Sequence, residues 1–298
     1  MNKLFSIAAA AVLLAACTPS ETKQPAAAAA AASAAANHAA EASAQVPALA
    51  LPADVKELEA LAQKAVAGYE PAAEKQIVYF GTDSQPADKP VAGGFYREVL
   101  GKMPDGRLVV QDFYQDNGKP QILPAILKQG ADVRNFSAEV NDGLVVWVAE
   151  DGSVVSASDM SGGQTRSWTV IYRDGKAVAQ ARGAEQDEQG GDAVFLYDDG
   201  KPMMWGRAAA DGKSLLLDTY YPNGVRMSST IMPSSGGGEP IISAWNREGK
   251  PVPLSEIKED WETMQQAVTR IQSYVQQSES VFSPSQANAD ASAARQAQ

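Results

Sequence analysis

Two side chains that carry much of protein chemistry are nearly missing from this sequence. Its 298 residues include one cysteine, Cys17, and one histidine, His38, and both precede the first stretch able to build a core. A disulfide needs two cysteines, so none forms within the chain. A Ser-His-Asp triad, a Cys-His pair and a histidine-held metal are excluded from everything after residue 51. No metal and no cofactor is expected. An excess of basic residues is also missing. The formal charge is −11, and the charged residues of 1–51 and 283–298 cancel, so the whole acidic balance lies in 52–282. Such a surface repels nucleic acid and suits solubility or a basic partner, and no nucleic-acid partner is expected. After residue 16 there is no further run long and apolar enough to span a membrane, and no glycine-rich phosphate loop.

What is present begins at the N-terminus. Lys3 precedes an almost wholly apolar run over 4–16, and Leu14-Ala15-Ala16-Cys17 brings small residues up to the lone cysteine. The run is a secretory signal, too short for a permanent span. The approach to Cys17 resembles the lipobox of bacterial lipoproteins. That resemblance implies cleavage before Cys17 and acylation of its thiol and amine, with the membrane as a partner through that lipid. Two or more acyl chains anchor stably, at about 0.8 kcal/mol per buried CH₂. Thr18 follows, and the absence of Asp there fits outer-membrane sorting in enteric-type bacteria; the sequence leaves open the periplasmic face or the cell surface. The chain is thus divided into a signal peptide (1–16), a lipidated Cys and Ala-rich tether (17–51), a β-rich domain with flanking helices (52–282) and a disordered tail (283–298). Fourteen of residues 26–44 are alanine, a composition that cannot bury a core.

Within the domain, Asp54 is a candidate N-cap with Glu57 three residues on. Val55, Leu58, Leu61, Ala62, Ala65, Val66 and Tyr69 follow at helical spacing, predicting a helix over 54–69 that Pro71 ends. Residues 76–253 read as strands, with alternation in 107–114, at Trp168, Val170 and Tyr172, and at Val225, Met227, Ser229 and Ile231. Asx-Gly pairs punctuate them at 105–106, 117–118, 142–143, 151–152, 174–175, 199–200, 211–212 and 223–224, and Glu248-Gly249 continues the series. Asx-Gly supplies the positive φ of two-residue hairpin turns. The glycines are spaced 12, 25, 9, 23, 25, 12, 12 and 25, mostly 12 or twice 12, which predicts a repeat of about 24 residues.

The repeat has an aromatic entry. Tyr114-Gln115-Asp116-Asn117-Gly118-Lys119-Pro120 matches Tyr197-Asp198-Asp199-Gly200-Lys201-Pro202, and Tyr172, Tyr221 and Trp245 open variants. The pattern resembles the MORN-type hairpin repeat, in the Tyr-x-x-Asn/Asp-Gly-Lys variant of bacterial envelope and antitoxin-like proteins. The resemblance covers about 95–252 and implies an elongated antiparallel meander used for binding or scaffolding. The second glycine of each unit is often missing, and the loops 183–192 and 234–238 break the period.

Toward the C-terminus, Ile257, Trp261, Met264, Val268, Ile271 and Val275 fall at spacings of 4, 3, 4, 3 and 4, the stripe of an amphipathic helix capped by Ser255. The expected fold is therefore mainly β: an antiparallel, repeat-like hairpin meander with an N-terminal helix and a C-terminal amphipathic helix.

Function has fewer signals. Tyr114, Trp147, Tyr172, Tyr197, Tyr221 and Trp245 stand at or near turns and form either a ladder that receives a ligand or the stripe that glues hairpins together. Asp198-Asp199 and Asp187-Glu188 are acidic pairs that could in principle serve as a carboxylate couple. A hairpin turn wants Asp at 199 for local reasons, and glycoside hydrolysis needs a carboxylate separation in space that adjacency does not provide. The acidic loop 183–192 lacks the spacing of a calcium loop. The reading is a lipid-anchored, non-enzymatic envelope protein that binds or scaffolds a protein or glycan. The alternatives are a carboxylate-based glycan hydrolase and an immunity or antitoxin-like binder.

Overall fold

Hairpin follows hairpin from Glu70 to Ala244, and every strand pairs antiparallel with its neighbours in a 14-stranded sheet. The computed structural model describes residues 45–182, 191–209, 214–233 and 239–282. Cys17, the tether through residue 44, Asp187, Glu188, the turn at 211–212, the loop at 234–238 and the tail lie outside the described residues. The strands are β1 (Glu70–Phe80), β2 (Pro86–Ala87), β3 (Phe95–Lys102), β4 (Leu108–Tyr114), β5 (Ala125–Leu127), β6 (Asn141–Val148) and β7 (Val154–Ser161). They continue as β8 (Gln164–Arg173), β9 (Lys176–Arg182), β10 (Asp192–Leu196), β11 (Pro202–Ala208), β12 (Ser214–Tyr220), β13 (Arg226–Pro233) and β14 (Ile241–Ala244). Spatial order follows chain order from β14 to β3, and β1 then lies between β3 and β2.

Two helices cover opposite faces. Helix α1 (Val55–Ala65) starts at Asp54, whose carboxylate accepts the Lys56 amide, and it ends four residues before the expected Tyr69. Leu58 and Ala62 pack with Val170, Tyr172, Val194 and Trp205. Helix α2 (Lys258–Phe282) lies on the other face, where Ile257, Met264, Val268, Ile271 and Val275 pack with Phe195, Met203, Leu217 and Met227. The stripe therefore serves the sheet rather than a coiled coil. Burying these five side chains contributes about 10 kcal/mol before entropy. Ser255 does not cap α2. It sits inside a 3₁₀ turn (Leu254–Ile257) preceded by Pro253, because the chain tightens before the helix proper.

The stretch 46–51, grouped by composition with the tether, is laid on the α1 face. Val46, Leu49 and Leu51 pack there, and Gln180 accepts the Ala50 amide and donates to the carbonyls of Pro47 and Ala48. One carboxamide thus satisfies three backbone groups that water would otherwise hold.

The Asx-Gly pairs make hairpins, but mostly of another type than expected. At 221–225 the Tyr221 amide donates to Val225 O, the Gly224 amide donates to Tyr221 O, and only Gly224 has positive φ, +86°. This is a three-residue loop closed by a left-handed glycine. The same bond pair recurs at 103–107, 149–153, 197–201 and 246–250. The Asx before glycine acts through its side chain: Asn223 Oδ1 accepts the Val225 amide, as Asp199 does that of Lys201 and Asp151 that of Ser153. The two-residue turn appears at Asp174-Gly175, where both φ are positive, 53° and 77°. Asp142-Gly143 is not a turn; it lies within β6. Replacing Asn223 by Ala together with Gly224 by Val removes the side-chain acceptor and forces a β-branched residue into left-handed backbone. Stability should fall by about 2 kcal/mol or more, and an unchanged denaturation midpoint would refute the turn's contribution.

Candidate functional site

The hairpin-entry aromatics hydrogen-bond and pack between neighbouring elements. Tyr197 OH donates to Tyr220 O at 2.7 Å, Tyr221 OH to Trp245 O at 2.9 Å, and Tyr114 OH to Val148 O at 2.9 Å. Each phenol reaches the entry of the next hairpin on that edge. Lys201 and Asn223 add bonds from their turns to the carbonyls of Pro222 and Arg247. Tyr172 OH instead holds Pro52 O at 2.8 Å, on the α1 face. Burial pushes the Tyr197 hydroxyl up to about 12, and it raises those of Tyr114 and Tyr172 further, so these phenols stay protonated donors.

The six aromatics do not share one face. Tyr172 belongs to the cluster under α1, Tyr197 and Tyr221 to the cluster under α2, and Trp147 to a separate group with Val145, Val155 and Val281. Trp147, Tyr172 and Tyr221 are buried; Tyr114, Tyr197 and Trp245 are half-buried. They join hairpin to hairpin and sheet to helix. Among the acidic candidates, Asp199 is a turn residue: its carboxylate accepts the Lys201 amide and pairs with the Lys201 ammonium, which hold its pKa below the usual range.

A different aromatic row lies at the other end of the sheet. Register places Tyr79 opposite Tyr96, and Tyr96 opposite Phe113. Their side chains share the face of Val109, which packs against Val66 just after α1. The rings of Tyr96 and Phe113 stack 4.9 Å apart, 11° from parallel. All three residues are half-buried, as are Tyr114, Tyr197 and Trp245. Pro120 bridges to Phe113 on one side and Ala87 pairs with Tyr79 on the other. The hydroxyls of Tyr79 and Tyr96 have no hydrogen-bond partner among the described residues, unlike those of Tyr114, Tyr172, Tyr197 and Tyr221. The next positions along the strands are Ile77, Glu98 and Gln111, with Glu98 held by Lys75 at 3.1 Å.

The row therefore joins apolar ring surface to two free phenols, a carboxylate and a carboxamide. Its three members lie 17 residues apart in sequence, Tyr79 to Tyr96 and Tyr96 to Phe113. That equal spacing is the signal that points to them.

Other chemistry finds little support nearby. Beside Arg97 and Asp112 lies a small, partly open polar pocket of about 20 Å³, also lined by Gln121 and Asn141. It has room for about one water. Among the described residues no cluster of three or more His, Cys, Asp or Glu is placed to hold a metal ion. No described helix is long and apolar enough to cross a membrane. No protein-family model matches the chain, and no curated protein matches it.

Proposed function

We propose that this chain is a lipid-anchored, non-enzymatic protein of the bacterial outer membrane. Acylated Cys17 fixes it to the bilayer, the alanine-rich segment gives it reach, and a MORN-like hairpin domain binds glycan through Tyr79, Tyr96 and Phe113. The observation that carries the glycan reading is the pair of unpartnered phenols in a half-buried aromatic row. Sugars present C–H surfaces that pack against aromatic rings, and hydroxyls that phenol, carboxylate and carboxamide groups can bond. The acidic balance of the domain favours a neutral saccharide over a polyanion. Of the residues in the two rows, Glu98 alone is a carboxylate, and it is paired with Lys75; hydrolysis would need a second, suitably separated carboxylate.

The test is calorimetric titration of the full chain with a chitin tetrasaccharide, a neutral N-acetylated probe. The wild type should bind. Replacing both Tyr79 and Tyr96 by Ala should weaken binding by about tenfold or more, as expected for losing two aromatic contacts. Equal binding by the two proteins, or no binding by the wild type, would overturn the glycan reading.

A further inference from the structure

The small pocket beside Arg97 and Asp112 lies where strands β3 and β4 meet the 3₁₀ turn before β6 and, through Gln121, the last turn of α2. Two side-chain amides line it, and both are fixed in orientation. Asn141 Nδ2 donates to Ala138 O at 3.0 Å, and Gln121 Nε2 donates to Val281 O at 2.6 Å. Turning either amide over would set its oxygen against a carbonyl oxygen. The backbone holds the same residues in place. Gln121 N–H donates to Asp112 O at 2.7 Å, Val148 N–H donates to Gln121 O at 2.8 Å, and Asn141 N–H donates to Ala138 O.

Two acceptors and one donor are left over. Asn141 Oδ1 is buried and has no hydrogen-bond partner. Gln121 Oε1 accepts from no described group. Arg97 Nη2 carries two hydrogens: one goes to Asp112 Oδ2 at 2.7 Å, and the other has no described acceptor. Asn141, Gln121 and Arg97 are only 4%, 3% and 1% exposed. Polar groups so deeply buried are almost always paired, with protein or with an ordered ligand.

We propose that the pocket binds one water molecule, which donates to Asn141 Oδ1 and Gln121 Oε1 and accepts from Arg97 Nη2. Size and chemistry both select it. The space is about 20 Å³, enough for a single water. Two acceptors call for a ligand with two hydrogens, and a guanidinium N–H calls for one with a lone pair. Water supplies both. Chloride has no hydrogen to give; ammonium has no lone pair and would face the guanidinium. The charges of Arg97 and Asp112 cancel across their 2.7 Å contact, so the site has no net charge for an ion to balance. Three hydrogen bonds are the usual number for a buried water.

The bound water completes a chain of hydrogen bonds from the ion pair to α2. It runs from Asp112 through Arg97, the water and Gln121 to Val281 O. That carbonyl is among the last four of the helix, which find no partner within it. A branch through Asn141 reaches Ala138 in the turn before β6. Neither the lipid anchor nor the ligand of the aromatic row enters into this assignment.

The test is water-selective NOE and ROE spectroscopy of the ¹⁵N-labelled full chain in detergent micelles. The side-chain NH₂ signals of Asn141 and Gln121 should both show water cross-peaks, of opposite sign in the two spectra, the signature of a held water rather than of hydrogen exchange. Lack of the cross-peak at Asn141 or at Gln121 in the wild type overturns the site. Asn141→Leu keeps nearly the same shape and removes the acceptor. It should abolish the cross-peak at Gln121, and a cross-peak that persists there overturns the proposal. If that variant fails to fold, Gln121→Met is read at the Asn141 signal: loss of the cross-peak supports the bound water, and persistence overturns it.

Discussion

Asp112→Ala should destabilise the domain by about 3–5 kcal/mol, the range for stripping one partner from a buried ion pair. Arg97 and Asp112 face each other across β3 and β4, and only 1% and 3% of their surfaces are exposed. The guanidinium is held at both ends: Nε to Oδ1 and Nη2 to Oδ2, each at 2.7 Å, while Nη1 donates to the carbonyls of Asn135 and Val133. The rings of Phe80 and Phe136 lie 5.7 Å from its centre. Without the carboxylate, Arg97 remains a buried cation with only neutral dipoles for company. The double variant Arg97→Met/Asp112→Leu removes both charges and should lie within about 2 kcal/mol of the wild type, because desolvation and attraction nearly cancel in such pairs. Chemical denaturation decides. A loss below about 1 kcal/mol for Asp112→Ala would mean that Arg97 finds water or another partner, contrary to this account.

The second large effect is on location. Cys17→Ala should move the protein completely from the membrane fraction to the soluble one, with the domain still folded. Cys17 lies 29 residues before Val46, the first described residue packed on the sheet, so its loss leaves every described contact intact. Lipid contributes about 0.8 kcal/mol per buried methylene, and no described helix offers a substitute span. Membrane pelleting after a high-salt wash, with circular dichroism of the released variant, is the check. Variant protein retained in the pellet would contradict the anchor.

How much could be read in advance differs by element, for physical reasons. The α2 stripe is legible because one amphipathic helix states its whole buried face at one period: Ile257, Met264, Val268, Ile271 and Val275 lie in the core, with Trp261 packed half-buried against it. The hairpins were legible as hairpins, since Asx-Gly acts locally. The loop type differs from the expected two-residue turn because Asx has two uses: it tolerates positive φ, and its oxygen can accept the amide two residues on. The second dominates here, at Asp151, Asp199 and Asn223. Asp142-Gly143 lacked a turn because Asp142 serves contacts between elements, accepting from Gly162 N–H and pairing with Arg107.

The candidate site was much less legible. Whether a strand tyrosine is buried or exposed depends on register and on what covers each face, and neither is local. Tyr197 and Tyr221 resemble Tyr79 and Tyr96 in sequence terms. The first two lie under α2 and spend their hydroxyls on the next hairpin. The other two stand where the described helices do not reach. The Arg97–Asp112 pair was equally hidden, since neither residue carries any sign of burial until β3 and β4 are paired.

The measurement that tests the central claim most directly is affinity capture on the immobilised full chain. The input is an envelope extract in which the wall has been digested to soluble fragments, applied at low and at moderate salt. The account predicts that saccharide fragments are retained at both salt concentrations by the wild type and pass through the Tyr79→Ala/Tyr96→Ala variant, because ring packing is insensitive to screening. A stoichiometric protein that both forms retain at low salt and release as salt rises, with no saccharide held, would contradict it and place the contact on the acidic surface.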